Sequence, residues 1–458
     1  AQAVEAIEGL YPERLAEHVE RLAYHARRGE AWEKAVDYLR RAGAKAMERS
    51  AYPEAAAGFE QALDALRQLP ESPDRLSQAI DLRLAAFGAL APAGALARIP
   101  NHLREAQTLA DTLSDERQLG RVLVALGNYA WVSGDSERAL EVCQRALVIA
   151  TGLGDVQLRL RANTFLGLQH QTRGEYREAV ELLRQAVAAL QGERLHERFG
   201  GAGLLSVTTR ERLAWCLAEL GEFEEAMARG EEAVRIAREF DHPASLAYAH
   251  RSLGLVSLRR GDPRGAVPPL ERAVEVCRVS QVRLPFDIAA GHLGYAYSLS
   301  GRLAEGVALM HEALADPAAT GTTNHPLLLA YLGEAHLLVG CRDDALAVAR
   351  QALDLALRQK ERGNEAWILR LLAEIAARAG PPDLESAQAH YSRALERAEA
   401  LGMRPLAAHC HLGLGRYSRP TGGEPLAGQH FMTAATMYRE MGMTSWLELA
   451  ERELAAVR

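Results

Sequence analysis

The chain has 458 residues, 48% of them hydrophobic and only 6% aromatic, a balance that suits small-residue helix packing over an aromatic-rich core. Fifty-three Lys and Arg stand against 60 Asp and Glu, a net charge of −7, which excludes a globally basic surface for nucleic acid or for an anionic membrane. Cys143, Cys216, Cys277, Cys341 and Cys410 are odd in number, far apart and form no C-x-x-C, so they read as reduced, mostly buried thiols of a cytoplasmic protein.

The chain opens Ala1-Gln2-Ala3, already in helical pattern and without an initiator Met, as expected of a piece of a longer polypeptide. Residues 10–28 are expected to form one helix with Pro12 at its start and Gly29 at its end. A second helix is expected over 31–49 and a third from Tyr52 to Leu66. QLPESPDR (68–75) is a turn-rich joint, and APAGALARIP (91–100) marks the least regular hairpin. From Asp115 onward the pattern is clean. No run is long and apolar enough for a membrane span, and no signal peptide opens the chain.

The stretch LGLQHQTRGEYREAVELLRQA (166–186) gives the unit. A small residue lies near the end of one amphipathic helix, a glycine seven later breaks it, and an alanine nineteen later sits on the second helix. The small positions are Gly43, Gly88, Gly127, Gly167, Ala214, Gly254, Gly294, Gly333, Ala373 and Gly415, mostly 39–42 apart. In the unit near Leu76, Gly88 fits but the second helix does not. Pro381 and Pro382 lengthen the turn after Gly380 and move its alanine to Ala394. Periodicity of this length means stacked helical hairpins.

At these residues the chain resembles the tetratricopeptide repeat (TPR) family: the Leu-Gly pair, the Gly-x-aromatic turn and the two alanines carry the likeness. It departs in having no tryptophan four before the small position and no proline closing the second helix, which accommodates a period near 40 where about 34 is usual. A HEAT-type array has a similar period but would not repeat Gly-x-aromatic-x-x-Ala. The expected fold is all-α: a right-handed superhelical solenoid of about ten TPR-like hairpins with a C-terminal capping helix. Its expected parts are a helical junction (1–49), repeats (50–190), an inserted loop (191–206), further repeats (207–442) and the cap (443–458). A second resemblance covers 15–46 and 403–448. The first is similar to the junction after the ATPase module of STAND-type signalling ATPases, the second to the last repeats of bacterial proteins that fuse a class III nucleotide cyclase, such an ATPase and a TPR array. It implies a regulatory arm with catalytic modules upstream.

No P-loop, H-E-x-x-H or G-x-S-x-G is present, so the segment is expected to be non-catalytic and to hold no cofactor and no metal. His409-Cys410-His411 lies on a helix, where the two histidines point about 200° apart, and reads as satisfied helix histidines. Gly200-Gly201-Ala202-Gly203 beside Arg194 and Arg198 reads as a hinge loop. Asp241-His242-Pro243 and Asn324-His325-Pro326 read as helix starts capped by Asp and Asn.

The TPR resemblance implies that first helices line a concave groove, six and three residues before the small position and one and four after it. Projected here, these positions give Arg121, Asn128, Trp131, Arg161, Thr164, Gln171, Glu211, Trp215, Tyr248, Arg251, Tyr295, Glu334, Trp367, Arg370, Glu374 and Arg416. Aromatic anchors with arginine between them suit recognition of a peptide or protein partner, or of adjacent domains of the same polypeptide. The plainer alternative is that the tryptophans pack between neighbouring first helices. A different class of function, a small-molecule effector site like that of the maltose-sensing regulators, would use the insertion with Arg194, His196, Arg198 and Phe199.

Overall fold

A computed structural model describes residues 2–196, 203–315, 322–418 and 423–457. Every regular element among them is helical, and 23 are α-helices. The first two, α1 (Gln2–Leu10) and α2 (Val19–Arg28), flank a 3₁₀ segment at Pro12–His18. The single helix expected over 10–28 is therefore two pieces. Arg14 leaves helical geometry at φ −122°, and the apolar periodicity reads straight through that break.

Ten hairpins follow. They are α3 (Trp32–Glu48) with α4 (Tyr52–Leu66), α5 (Pro73–Leu90) with α6 (Ile99–Leu113), and α7 (Glu116–Val132) with α8 (Ser136–Gly152). Next are α9 (Val156–Thr172) with α10 (Tyr176–Ala189), α11 (Leu205–Leu220) with α12 (Phe223–Glu239), and α13 (Pro243–Arg260) with α14 (Pro263–Val279). Last are α15 (Arg283–Leu299) with α16 (Leu303–Leu314), α17 (His325–Leu338) with α18 (Arg342–Gln359), α19 (Arg362–Ala377) with α20 (Leu384–Leu401), and α21 (Arg404–Ser418) with α22 (Glu424–Glu440). The cap is α23 (Thr444–Ala455), packed on α22. The irregular unit has its second helix after all: α6 begins at Ile99, beyond a longer connection.

The repeat residues do the packing expected of them. Ala146, Ala186, Ala233, Ala273, Ala313, Ala352, Ala394 and Ala434 are all at most 1% exposed, so a larger side chain at any of them has nowhere to go. A Cβ on Gly254 would lie 2.3 Å from Leu270 Cγ, which is why α13 and α14 can close only over a glycine. Asp115, Asp135, Asp155, Asp262 and Asp383 cap helices by accepting from the N–H three residues on. At the two X-His-Pro starts the caps differ from expectation. The His242 ring accepts from the Ser245 N–H while Asp241 takes φ +44°, and Asn324 sits at φ +69° without a side-chain cap.

The hairpins coil tightly enough for one turn of the superhelix to touch the next. Ser136 Oγ at the start of α8 donates to Gln359 O, five hairpins on, at 2.9 Å, and Lys360 pairs with Glu137. Thr323 donates from its backbone N–H to Val132 O at 3.2 Å and from its hydroxyl to Trp131 O. Arg362 donates to Arg173 O at 2.9 Å and pairs with Glu175. Two of the turn glycines, Gly174 and Gly221, lie on this seam. A Cβ on Gly174 would come within 2.9 Å of Gly363 N, and one on Gly221 within 2.5 Å of Met441 Sδ. At the other end, Tyr52 packs with Ala244 and Val282. The result is two stacked revolutions of about five hairpins each. The middle first helix, α11, is enclosed, with every residue buried except Thr208.

Candidate binding groove

The period of about 40 residues brings like positions of successive first helices face to face on the inner wall, and polar side chains join them. Gln118 donates to Ser77 Oγ at 2.9 Å and Arg121 to Asp81 at 2.6 Å. Trp131 Nε1 donates to Thr172 Oγ1 at 2.7 Å and Arg212 to Gln171 at 3.4 Å. Arg251 pairs with Glu211, Arg259 with Glu219 at 2.7 Å, Arg370 with Glu334 at 2.8 Å, and Arg416 with Glu453 of the cap at 2.9 Å. Each rung ties a hairpin to its neighbour.

In the middle of the array these rungs fill the groove. Arg212 lies over Trp131 and Trp215, with its central carbon 5.0 and 5.5 Å from the ring centres. Arg251 lies over Trp215 and Tyr248, and Arg259 over Trp367 at 4.4 Å. Such cation–ring contacts gain strength when water is excluded. Trp367 Nε1 donates to Glu219 at 3.0 Å. Tyr295 stacks on Tyr331 with centres 4.1 Å apart, and Glu374 accepts from the Tyr391 hydroxyl and from Arg378. Thr164 turns its hydroxyl back to Leu160 O. The groove register thus brings Trp131, Gln171, Glu211, Trp215, Tyr248, Arg251, Tyr295, Glu334, Trp367 and Arg370 onto a packed wall; Trp131 and Trp215 lie against neighbouring first helices, whereas Trp367 reaches across the groove to Glu219 of α11 and Arg259 of α13.

The charges on this wall are not evenly matched. Arg259 has Glu219 to itself. Burial works against its charge, but the carboxylate and the Tyr331 hydroxyl outweigh it and hold its pKa up. Arg251 and Arg212 share Glu211, with Arg212 Nε 3.0 Å from Glu211 Oε2. Burial pulls Arg251 down, and Glu211 only partly offsets it. Arg251 Nε and Nη1 find no acceptor among the described residues. His292, edge-on to Trp215, is pushed down to about 3 by burial and then by Arg251, so it is neutral and adds no third cation. Its Nδ1 donates to Ile288 O at 2.7 Å.

The wall stays open nearer the N-terminal end. A cavity of about 470 Å³ lies between α5, α7 and α9, lined by Asp81, Leu84, Phe87, Arg121, Val124, Asn128, Gln157, Arg161 and Phe165 among others. Of the groove residues named from sequence, Arg121, Asn128 and Arg161 line it. Asp81, Phe87, Gln157 and Phe165 were missed: the projection named no position on α5, and on α9 Gln157 and Phe165 lie outside the four register positions. Burial, and then repulsion from Arg121, bring Arg161 down to about 10.

The insertion folds as a 3₁₀ turn at Gly192–His196, with Arg194 and His196 exposed. His196 lies 6.0 Å from the Phe240 ring centre, and with Met47, Phe59 and His242 it borders a cleft of about 450 Å³ between the two revolutions. Arg198 and Phe199, with Gly200-Gly201-Ala202, lie outside the described residues. His409 Nδ1 meets the Tyr438 hydroxyl at 2.7 Å and His411 Nδ1 meets His430 Nδ1 at 2.9 Å. Among the described residues no three metal-binding side chains cluster, and no helix is long and apolar enough to cross a membrane.

A Rap protein complexed with competence and sporulation factor superposes with a TM-score of 0.62 at 16% identity, over 80% of this chain and 98% of that one. The chain has a tetratricopeptide-like repeat fold. A STAND-class signal transduction ATPase with a tetratricopeptide repeat sensor from Pyrococcus horikoshii matches at TM-score 0.44 and 15% identity, over 81% of this chain and 55% of that one. Kinesin light chain TPR-like repeats from Podosopora anserina match at TM-score 0.32 and 23% identity, over 44% and 96%. The family described as Anaphase-promoting complex subunit 5 matches residues 166–260. No curated protein sequence matches the chain.

Proposed function

We propose that the chain is the interaction and sensing arm of a bacterial cytoplasmic signalling protein, receiving an extended peptide or a segment of a partner protein on its inner wall. One observation carries this reading: the inner wall, closed by its own side chains around α11, opens into a cavity at α5, α7 and α9, in the register where this repeat architecture presents ligand-facing residues. Arg121 and Arg161 supply forked donors and Asn128 supplies both a donor and an acceptor, the groups a peptide main chain and its charges require. The Rap protein with which the chain shares its fold is itself complexed with competence and sporulation factor. Occupancy would alter how the hairpins rotate against one another. Through the seam between revolutions it would bias an ATPase or nucleotide cyclase joined to the arm, the assembly implied by the likeness at 15–46 and 403–448.

A peptide array probed with the full 458-residue chain tests this. Captured peptides should lose binding at least tenfold to the Arg121→Ala, Asn128→Ala double variant. Capture unchanged by that variant would place the binding surface elsewhere.

A further inference from the structure

The seam between revolutions shows how this molecule covers the edge of a hairpin. Each hairpin has a turn edge, where its first helix hands over to its second, and a loop edge, where it passes to the next hairpin. Turn edges of the first revolution are roofed by loop edges of the second. The residue just before a left-handed helix end packs on a turn glycine. A Cβ on Gly174 would lie 3.0 Å from Leu401 Cδ1, beside Gly402 at φ +71°, and Met441, beside Gly442 at φ +67°, packs the same way on Gly221. The residue two after such an end makes a second contact. Arg362, two after Lys360, pairs with Glu175, and Arg404, two after Gly402, has its Cβ 3.6 Å from one built on Gly221.

Farther along the array the same sockets stand open. Gly301 (φ +90°) and Gly340 (φ +83°), the turn glycines of α15–α16 and α17–α18, have nothing within 4 Å of a Cβ among the described residues. Leu338 and Val339 are 39% and 45% exposed, where their counterparts under the second revolution, Val132 and Leu220, are 6% and 7%. Because the second revolution lies on the turn side of the first, the bare loop edge faces the other end of the superhelix. There, between α8 and α9, Leu153 sits just before Gly154 (φ +61°), in the register of Leu401 and Met441, yet is 40% exposed. Val156, in the register of Arg404, is 49% exposed. One loop earlier Glu116, two after Ser114 at φ +52°, is exposed as well.

We propose that the bare turn edge of α15–α18 docks a second copy of this chain through that copy's loop edge at α6–α9, repeating the internal seam between molecules. Carrying the internal pairing over sets Leu153 of one copy in the Gly301 socket of the other, Val156 against Val339 and Gly340, and Glu116 beside Arg302. Apolar knobs leaving water for glycine sockets drive the contact. Arg302 stands in the place of Glu175 and Glu116 in the place of Arg362, so the charges are exchanged and still opposite. Arg302 also holds Glu305 and Glu271 of its own chain, at 2.7 and 3.4 Å, and its forked donors serve Glu116 in addition. The two edges differ, so every docked copy leaves one of each free and assembly continues head to tail.

Sedimentation velocity and light scattering of the full chain, from low micromolar to hundreds of micromolar, test this. Mass should grow with concentration beyond the dimer. Leu153→Asp spoils only the loop edge and Val339→Asp only the turn edge, both at exposed positions. Each variant alone should stay monomeric with unchanged helical circular dichroism. An equimolar mixture of the two should form a dimer and stop there, since each retains one good edge. Glu116→Lys alters a surface charge and no packing, and should weaken assembly several-fold. A parent chain that stays monomeric throughout would overturn the proposal and leave the edge to a different partner. Single variants that still assemble, a mixture that does not, or a Glu116→Lys chain that assembles like the parent would overturn it too, and each of these results leaves peptide binding in the groove untouched.

Discussion

The shared carboxylate at the centre of the wall makes a sharp prediction about stability. Glu211, Arg212 and Arg251 have side chains 1%, 5% and 1% exposed, so the group holds two cations and one anion away from water. Glu211→Gln keeps the shape and leaves both guanidinium groups without a counter-charge. Breaking a buried pair from one side costs about 3–5 kcal/mol, and loss toward the upper end is expected because two partners are stranded. Arg251→Met does the opposite. It removes the cation whose Nε and Nη1 have no acceptor, leaves Arg212 and Glu211 matched one to one, and keeps apolar contact with Trp215 and Tyr248. Replacing buried charge by a hydrophobic side chain of similar length is often neutral, so a change within about 1 kcal/mol is expected. The double variant should be less damaged than Glu211→Gln alone, a coupling outside simple additivity. Repeat arrays need not melt in one step, so hydrogen exchange across α11–α13 should accompany thermal unfolding. If Arg251→Met were as damaging as Glu211→Gln, the charge count would not govern this site.

Three other outcomes follow from described contacts. Gly254→Leu should cost about 1–3 kcal/mol or more by calorimetry, since even its Cβ would sit 2.3 Å from the buried Leu270 side chain; no loss would refute the close-approach role. Glu361 is 1% exposed, and burial raises it to about 7, partly offset by donors from the Asn324 backbone and the Asn364 side chain. Because the folded pKa lies above the ordinary 4.5, its contribution is fully present below about 4.5 and is lost as pH rises through 7. Glu361→Gln should therefore gain on the parent by up to about 3 kcal/mol between pH 5 and 8, measured by unfolding at each pH; a gain independent of pH would contradict the burial of a titrating group. Finally, Cys341 is exposed while the other four cysteines are buried, and burial pushes the thiols of Cys143, Cys277 and Cys410 up to about 12. A thiol reagent should label one site in the native chain and five in denaturant; additional native labelling would mean the hairpins open readily.

Local structure was written plainly in the sequence because its causes are local. The small position and the alanine nineteen later each answer to one neighbouring helix, and, apart from the delayed second helix of the unit near Leu76, the hairpins and the cap appear where their spacing put them. The break at Arg14 escaped because apolar periodicity does not register a single non-helical residue. The groove was legible only as a register. Which of its positions would be open depended on how tightly the hairpins coil, a sum of small rotations that no single residue encodes. One signal was available and unused: Asp81 and Arg121, Glu211 and Arg251, and Glu219 and Arg259 are each 40 residues apart with opposite charge, the mark of rungs between neighbouring first helices.

The seam between revolutions has a consequence for how this chain could change over time. An open solenoid can gain or lose a unit at little cost, because each unit answers only to those beside it. Here Ser136 meets Gln359 and Gly174 meets Gly363 five units away, so removing one hairpin between them would throw every later side chain out of phase with the layer beneath. The number of units is locked by the fit of one layer on the other, and end-to-end truncation should leave a raw face where the missing layer had rested.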